Sequence, residues 1–264
     1  MSKKILFWPE LPVERTVIYK LLDLCGFEAT RENVDIVAAF LWKDSTIIDE
    51  VSDNCMNKTD IRWFNRNCIN ISKSVVHDIY RTCSGIDLNV NPLIYTGKYV
   101  EKSDRNASHD GIVLCNPISK QRTGKVYMKL VDNITDLRNG EQMVEDLRVV
   151  VFGENIPLVY RKYRPISMRF SNKNSFVEIS SIYDEFTKSE QSIIRSFCKM
   201  ISLDYGELDV IRDHESQIAY IIDVNKTPFG PPNGISENDE KLALSKMSRA
   251  FYSMISDGGT LCVV

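Results

Sequence analysis

Two short apolar runs in the last third of the chain carry hard oxygen ligands at strand spacing. One is Gly206-Glu207-Leu208-Asp209-Val210-Ile211-Arg212 and the other is Tyr220-Ile221-Ile222-Asp223-Val224-Asn225. Between them, Arg212-Asp213-His214-Glu215-Ser216 holds turn formers and charges. Residues two apart in a strand project to one face, so Asp223 and Asn225 point together, and pairing of the two runs brings Asp209 beside them. Asp209 and Asp223 interrupt apolar sequence, and a carboxylate buried without a partner is costly, so each needs a metal or a basic neighbour. Carboxylate and amide oxygens suit Mg²⁺, which is commonly held by one or two carboxylates plus the phosphates of a substrate. The pattern points to ATP chemistry in a chain with neither a Walker loop nor a GxGxxG.

The elements that must position these groups read as mixed α/β. Residues 4–8 predict a buried strand, 12–26 a helix and 34–42 a second, almost wholly apolar strand that suits a parallel sheet covered on both faces. Residues 43–70 are polar with weak periodicity. Ser72 predicts the N-cap of a helix running to about Cys83, ended by Gly85. From 93 to 164 the pattern is β-rich, with runs at 93–95, 99–102, 112–115, 126–131, 147–152 and 156–160, the last two joined by the turn Gly153-Glu154-Asn155. A helix over 188–201 opens at Thr187 or Ser189, and a last helix covers 238–255. The organisation expected is an N-terminal α/β subdomain (1–70), a central lobe (71–132) and a C-terminal lobe with the metal candidates (133–264).

Composition excludes several classes. A net charge of −3 gives no global drive toward nucleic acid or anionic membrane. No apolar run approaches a bilayer span, and the apolar part of the start, Ile5-Leu6-Phe7-Trp8, is too short for a signal peptide. Seven cysteines without a CxxC pair argue against a zinc site or disulfide framework and fit a reducing cytoplasm.

The order of motifs over roughly residues 70–232 resembles the ATP-grasp superfamily. Ser72-Lys73 opening a helix, then Gly85-Ile86, is similar to the family's first nucleotide lysine. Tyr99-Val100-Glu101-Lys102, followed by the polar loop 103–111 and the strand Ile112-Val113-Leu114, resembles the second phosphate lysine and the loop that covers the phosphates. Val126-Tyr127-Met128-Lys129-Leu130-Val131 is similar to the inter-lobe strand whose backbone meets adenine. Glu145 to Gly153, ending at Tyr160-Arg161, resembles the strand pair that supplies a substrate- or phosphate-binding arginine. Asp209, Asp223 and Asn225 match the metal set. Two departures stand out. The last motif is Asp-x-Asn where Glu-x-Asn is usual, a form similar to the inositol phosphate kinase branch. The loop Ser-Asp-Arg-Asn-Ala-Ser-His-Asp-Gly has one glycine, so backbone amides approach oxygens less readily, and Ser103, Asn106, Ser108 and His109 would donate instead. Residues 1–70 match nothing in the family pattern.

The resemblance implies an ATP-grasp fold in which two α+β lobes clamp ATP and Mg²⁺. It implies Lys73 and Lys102 on the phosphates, the backbone of Met128, Lys129, Leu130 and Val131 at adenine, Asp209, Asp223 and Asn225 on the metal, and Arg148 and Arg161 in catalysis. Each has an ordinary alternative: an exposed lysine at a helix start or strand end, a salt bridge from Arg148 to Glu145 or Asp146, and a solvated turn for the basic segment Arg161-Lys162-Tyr163-Arg164 with Arg169. The leading function is a carboxylate–amine ligase acting on a small molecule, peptide or glycan. A kinase of a phosphorylated polyol or sugar is the alternative favoured by Asp-x-Asn and by the basic segment Arg161 to Arg169, which reads as a place for an anionic acceptor, and a nucleotide-binding pseudoenzyme is the one favoured by the glycine-poor loop. The acceptor and the oligomeric state are not encoded in any motif.

Overall fold

The computed structural model describes residues 3–49, 61–137 and 139–256. A four-stranded parallel sheet, order β2-β1-β3-β4, comes first, from β1 (Lys3–Pro9), β2 (Phe27–Thr30), β3 (Ile36–Trp42) and β4 (Trp63–Phe64). Its middle is apolar on both faces, with Ile5, Phe7, Ala39 and Phe40 fully buried. The helix α1 (Val17–Cys25) crosses from β1 to β2 and stops at Gly26, whose φ of 69° is the left-handed turn that lets the chain reverse. It is shorter than 12–26. Pro12 and Val13 lead into a turn in which Thr16 donates to the Val13 carbonyl.

A central unit follows, with α2 (Lys73–Ser84) and the three-stranded antiparallel sheet β6-β5-β7 built from β5 (Tyr99–Ser103), β6 (Ile112–Leu114) and β7 (Lys125–Lys129). The run 93–95 is a turn instead of a strand. The Asn91 side chain accepts from Leu93 N–H and its carbonyl from Ile94 and Tyr95, an arrangement that Pro92 favours.

The largest sheet has six strands, in the order β11-β10-β9-β12-β13 with β8 also on β9. These are β8 (Ile134–Asp136), β9 (Gln142–Phe152), β10 (Val159–Pro165), β11 (Phe176–Ser180), β12 (Tyr205–Arg212) and β13 (Ala219–Asn225). Three helices attach to it: the short α3 (Ile182–Glu185), α4 (Lys188–Ile201), and α5 (Glu237–Ser256). Thr187 and Glu190 form a capping box at the start of α4. β10 differs most from expectation. It begins at Val159 and runs through the basic segment to Pro165, so 161–164 is sheet and not a turn.

Two cores divide the faces of this sheet. Leu147, Val149, Val151, Leu208 and Val210 pack against Val76 and Tyr80 of α2 and Ile194 and Phe197 of α4. On the other face Val150, Phe152, Tyr160 and Tyr205 pack against Phe7, Phe40 and Trp42 of the first sheet and Met247 and Phe251 of α5. No helix among the described residues is long and apolar enough to cross a membrane.

The first sheet is locked to the largest one by Asn65, fully buried at φ 54°. Its N–H donates to Asp204 Oδ2 (2.6 Å), its amide to the Tyr205 carbonyl (2.7 Å), and its Oδ1 accepts from Asp204 and Tyr205 N–H (2.8 and 3.0 Å). Asn65→Ala strands these backbone groups and should lower unfolding free energy by about 3 kcal/mol in a denaturant titration. A loss under about 0.5 kcal/mol would show that the joint carries no weight.

Candidate functional site

Strand alternation makes a two-zone face on the large sheet. Along β9 it reads Phe152, Val150, then Arg148, Asp146. Along β12 it reads Tyr205, then Glu207, Asp209. Along β10 it reads Tyr160, then Lys162, Arg164. The apolar zone is covered by the first sheet and α5, and the charged zone meets Lys73 and Lys102 of the central unit at Asp223. Register aligns Asp209 with Arg148 on one side and Asp223 on the other, and Glu207 with Asn225. Gly206 is required here, because a Cβ at that position would lie 2.5 Å from the Asn225 carbonyl oxygen.

Asp209 is the hub of the charged zone. Arg148 Nε and Nη2 donate to its two oxygens (3.0 and 3.1 Å), and Lys162 Nζ donates to Oδ1 (2.7 Å). Burial alone would raise the Asp209 pKa, but Arg148 and Lys162 hold it well below the carboxylate range. Glu207 lies 3.3 Å from Arg148 Nη1, yet neither of its buried oxygens has a hydrogen-bond partner. Burial pushes its pKa up to about 7, against the opposing pull of Arg148. Arg164 pairs with Asp146 (2.8 Å) and donates to the Arg169 carbonyl.

The central unit contributes two ammonium groups opposite this face. Lys73, in the first turn of α2, reaches Asp223 Oδ2 (3.3 Å) and the Arg105 carbonyl (2.8 Å). The Lys102 ammonium makes neither a hydrogen bond nor an ion pair among the described residues, and burial lowers its pKa to about 8 despite the attraction of Asp223. Asp223 is raised by burial, with Lys73 and Lys102 opposing. His77, one turn after Lys73, is fully buried and donates from Nδ1 to Asn89 Oδ1 (2.7 Å), and its Nε2 has no partner. Burial and Lys102 lower its pKa to about 4, so the ring is neutral.

Lys73, Lys102, Arg148, Asp209, Asp223 and Asn225 are brought to one region of the fold. Arg161 does not join them and is a correction. It sits one residue out of phase with Lys162, on the opposite face, bound to Glu145 (2.6 Å), Glu178 and Glu185. Asp209 reaches the site with both oxygens engaged by cations, and Asp223 with Asn225 is the pair beside it. Among the described residues no three His, Cys, Asp or Glu side chains are grouped to hold a metal by themselves. In the inter-lobe segment, Met128 lies within the β5–β7 ladder. Lys129 N–H donates to Leu88, Leu130 N–H to Lys98, and the Val131 carbonyl accepts from Arg169. The Leu130 carbonyl and Val131 N–H have no partner among the described residues. From sequence, Lys162 and Arg164 stand out only as part of the basic segment 161–164 and Asp146 only as a salt-bridge partner for Arg148, while Glu207 and His77 carry no site signal of their own. The i, i+2 pattern from Tyr160 would have selected Lys162 and Arg164 over Arg161 once β10 was placed in the sheet.

No family model and no curated protein matches the chain. Solved structures do. One is the ATP-grasp ligase PsnB complexed with minimal precursor, Mg and ADP (TM-score 0.61, 12% identity, 97% of each chain covered). The chain has the ATP-grasp fold. A second ATP-grasp neighbour is D-alanine–D-alanine ligase from Bacillus anthracis complexed with ATP (TM-score 0.58, 12% identity, covering 98% of this chain and 100% of that one). A third is macrocyclase MdnC bound with precursor peptide MdnA from Microcystis aeruginosa MRC (TM-score 0.54, 13% identity, 97% and 100%). These matches cover 97–98% of this chain and 97–100% of those chains.

Glu207 gives the site a pH signature. A carboxyl whose pKa rises from 4.5 to about 7 on folding favours the folded state fully below pH 4.5, and that contribution is lost as pH rises through about 7. Glu207→Gln should remove this decline, so that the variant gains on wild type in unfolding free energy between about pH 4.5 and about pH 8. Parallel pH profiles for the two proteins would refute the burial argument.

Proposed function

We propose that the chain is an ATP- and Mg²⁺-dependent carboxylate–amine ligase. The observation that carries this reading is the meeting of Lys73 and Lys102 with the Asp223–Asn225 edge of a buried charged sheet. Its carboxylates answer Arg148, Lys162, Arg164 and Lys73, while Lys102 and Arg169 have no carboxylate within ion-pair distance among the described residues. The unanswered positive charge suits one Mg²⁺–ATP complex. It leaves little for an acceptor that is itself heavily phosphorylated, which is why the polyol kinase stands second.

The donor set fits Mg²⁺: Asp223 and Asn225 would hold it together with phosphate oxygens, with Asp209 as the residue behind them. When bound, the ion neutralises charge that develops between the distal phosphates. Lys73 and Lys102 bind and orient those phosphates. The Leu130 carbonyl and Val131 N–H offer one acceptor and one donor to the edge of adenine. Arg148, fixed by Asp209 and Glu207, and the neighbouring Lys162 stabilise the negative charge of the reacting carboxylate and phosphoryl group. A carboxylate oxygen attacks the γ-phosphorus and ADP leaves. An amine then attacks the acyl carbon, phosphate departs with the C–O electron pair, and the amine loses a proton. Peptide acceptors are favoured because PsnB and MdnC carry precursor peptides in their structures. The described cysteines are free thiols, in keeping with a cytoplasmic setting.

The reaction class is tested by product analysis with peptide or amino-acid carboxylate–amine mixtures. A ligase releases ADP and inorganic phosphate in equal amounts, whereas a kinase releases ADP and retains the phosphate on its acceptor. Asp223→Ala should abolish the Mg²⁺-dependent part of ATP affinity in a calorimetric titration. Equal Mg²⁺ dependence in variant and wild type would remove Asp223 from the metal set. Lys102→Ala should weaken ATP about tenfold or more while leaving AMP within about twofold, since its partner is a distal phosphate. Equal losses for both nucleotides would contradict that assignment.

A further inference from the structure

The loop 103–111 does not stand open above the site. It is docked across it, and its contacts fall on the groups that would receive phosphate. α2 has no acidic residue in its first turn, and Ser72, at the N-cap position, makes no capping bond with its side chain. The cap comes from Asp104, whose two carboxylate oxygens accept from Ser74 N–H (2.8 Å) and Ser74 Oγ (3.0 Å). The Asp104 carbonyl accepts from Lys73 N–H (3.0 Å), and the Arg105 carbonyl accepts from Lys73 Nζ (2.8 Å). A helix N-terminus with a lysine in its first turn is an anion site. Here an anionic side chain and a carbonyl of the same chain fill it.

The far side of the loop is pinned to the other two units. Asn106 donates from its amide to the Val224 carbonyl (3.0 Å), between Asp223 and Asn225, and from its backbone to Thr46 Oγ1 (2.9 Å). Gly111 lies against the Phe170 ring so closely that a Cβ would sit 2.7 Å from it. Asp110 accepts from Ser103 N–H and pairs with Lys125. Ala107 and His109 take φ of 55° and 47°, an uncommon conformation for residues other than glycine. Of the four side chains that the sequence offers as phosphate donors, Asn106 is engaged on the Val224 carbonyl and Ser108 on the Arg105 carbonyl.

We propose that residues 103–111 form an autoinhibitory strap in which the Asp104 carboxylate and the Arg105 carbonyl occupy the phosphate-binding groups of α2, so that nucleotide binds by displacing them. This rests on the nucleotide reading of the same site. It also accounts for the scarcity of glycine: a loop that holds itself by side chains needs Asp104 and Asn106 more than free backbone amides. Charge repulsion adds to the competition, since Asp104 and a phosphate cannot share one helix end.

The test compares wild type with Asp104→Ala and with Thr46→Val, which removes one of the two Asn106 anchors at a residue outside the phosphate-binding groups. Amide hydrogen exchange of 103–111 without nucleotide should be slow in wild type and at least several-fold faster in both variants. Both variants should bind ATP with Mg²⁺ about five- to tenfold more tightly, with no gain for adenosine, which has no phosphate to compete with the strap. Fast exchange in wild type would show that the loop is not docked. Faster exchange in the variants with unchanged or weaker ATP affinity would show that it docks without competing. If wild type binds ATP and neither variant gains, the strap alone falls. If no protein binds any nucleotide, the nucleotide reading falls and the competition with it. Thr46→Val keeps the question open to measurement if Asp104→Ala does not fold.

Discussion

The ion cluster around Asp209 sets the terms for the rest of the molecule. A carboxylate held by Arg148 on one strand and Lys162 on the next is stable only where the surrounding groups are fixed, because removing either cation leaves charge buried without an answer. That requirement explains the β9–β12 register that sets Arg148 against Asp209, the β12–β13 pairing that sets Asp223 on its other side before the ladder shifts at Val210, the glycine at 206 that allows close approach of Asn225, and the covering of the sheet on both faces. Apolar cores on either side supply the stability, and the charged zone uses the rigidity they provide. Glu207 marks the boundary between the two zones, which is why burial dominates its titration.

The second constraint is that the charged zone is incomplete on its own. Lys102 is half-buried with no carboxylate in ion-pair distance among the described residues, Asp223 answers one lysine, and His77 keeps an unpartnered ring nitrogen beside both lysines. Such groups are tolerated where an outside ligand completes them. The strap residue Asp104 completes part of the set meanwhile, at the helix end where a phosphate would otherwise be drawn. Substrate access and protection of buried charge are thus two consequences of one arrangement.

Much of this was legible in the sequence because it is carried by local pattern. Asp223-x-Asn225 within apolar sequence, Lys73 at a helix start and Lys102 at a strand end depend on periodicity that one strand or helix displays by itself. So do the edges of α2 and α4, set by Ser72, Gly85 and Thr187. What escaped depends on register between distant segments. Arg161 and Lys162 cannot be told apart locally, because nothing in the segment says which face of β10 carries the side of β9 that holds Arg148; the one-residue phase follows from pairing with β9. Ser72 occupies the N-cap position as predicted, but the capping carboxylate comes from Asp104, thirty-odd residues away in a loop with no periodicity to read. The turn at 91–95 was hidden by its apolar Leu93 and Ile94, whose tendency toward strand loses to the Asn91–Pro92 turn.

The central claim is that this charged face is a Mg²⁺–nucleotide site. Its most direct test is the melting temperature of the wild-type chain with ATP, ADP and a non-hydrolysable ATP analogue, each with and without Mg²⁺. The account predicts a rise of several degrees that requires Mg²⁺ and is shared by ATP and its analogue, because a ligand that binds only the folded state stabilises it by mass action. No shift with any nucleotide, at concentrations up to the millimolar range, would contradict it.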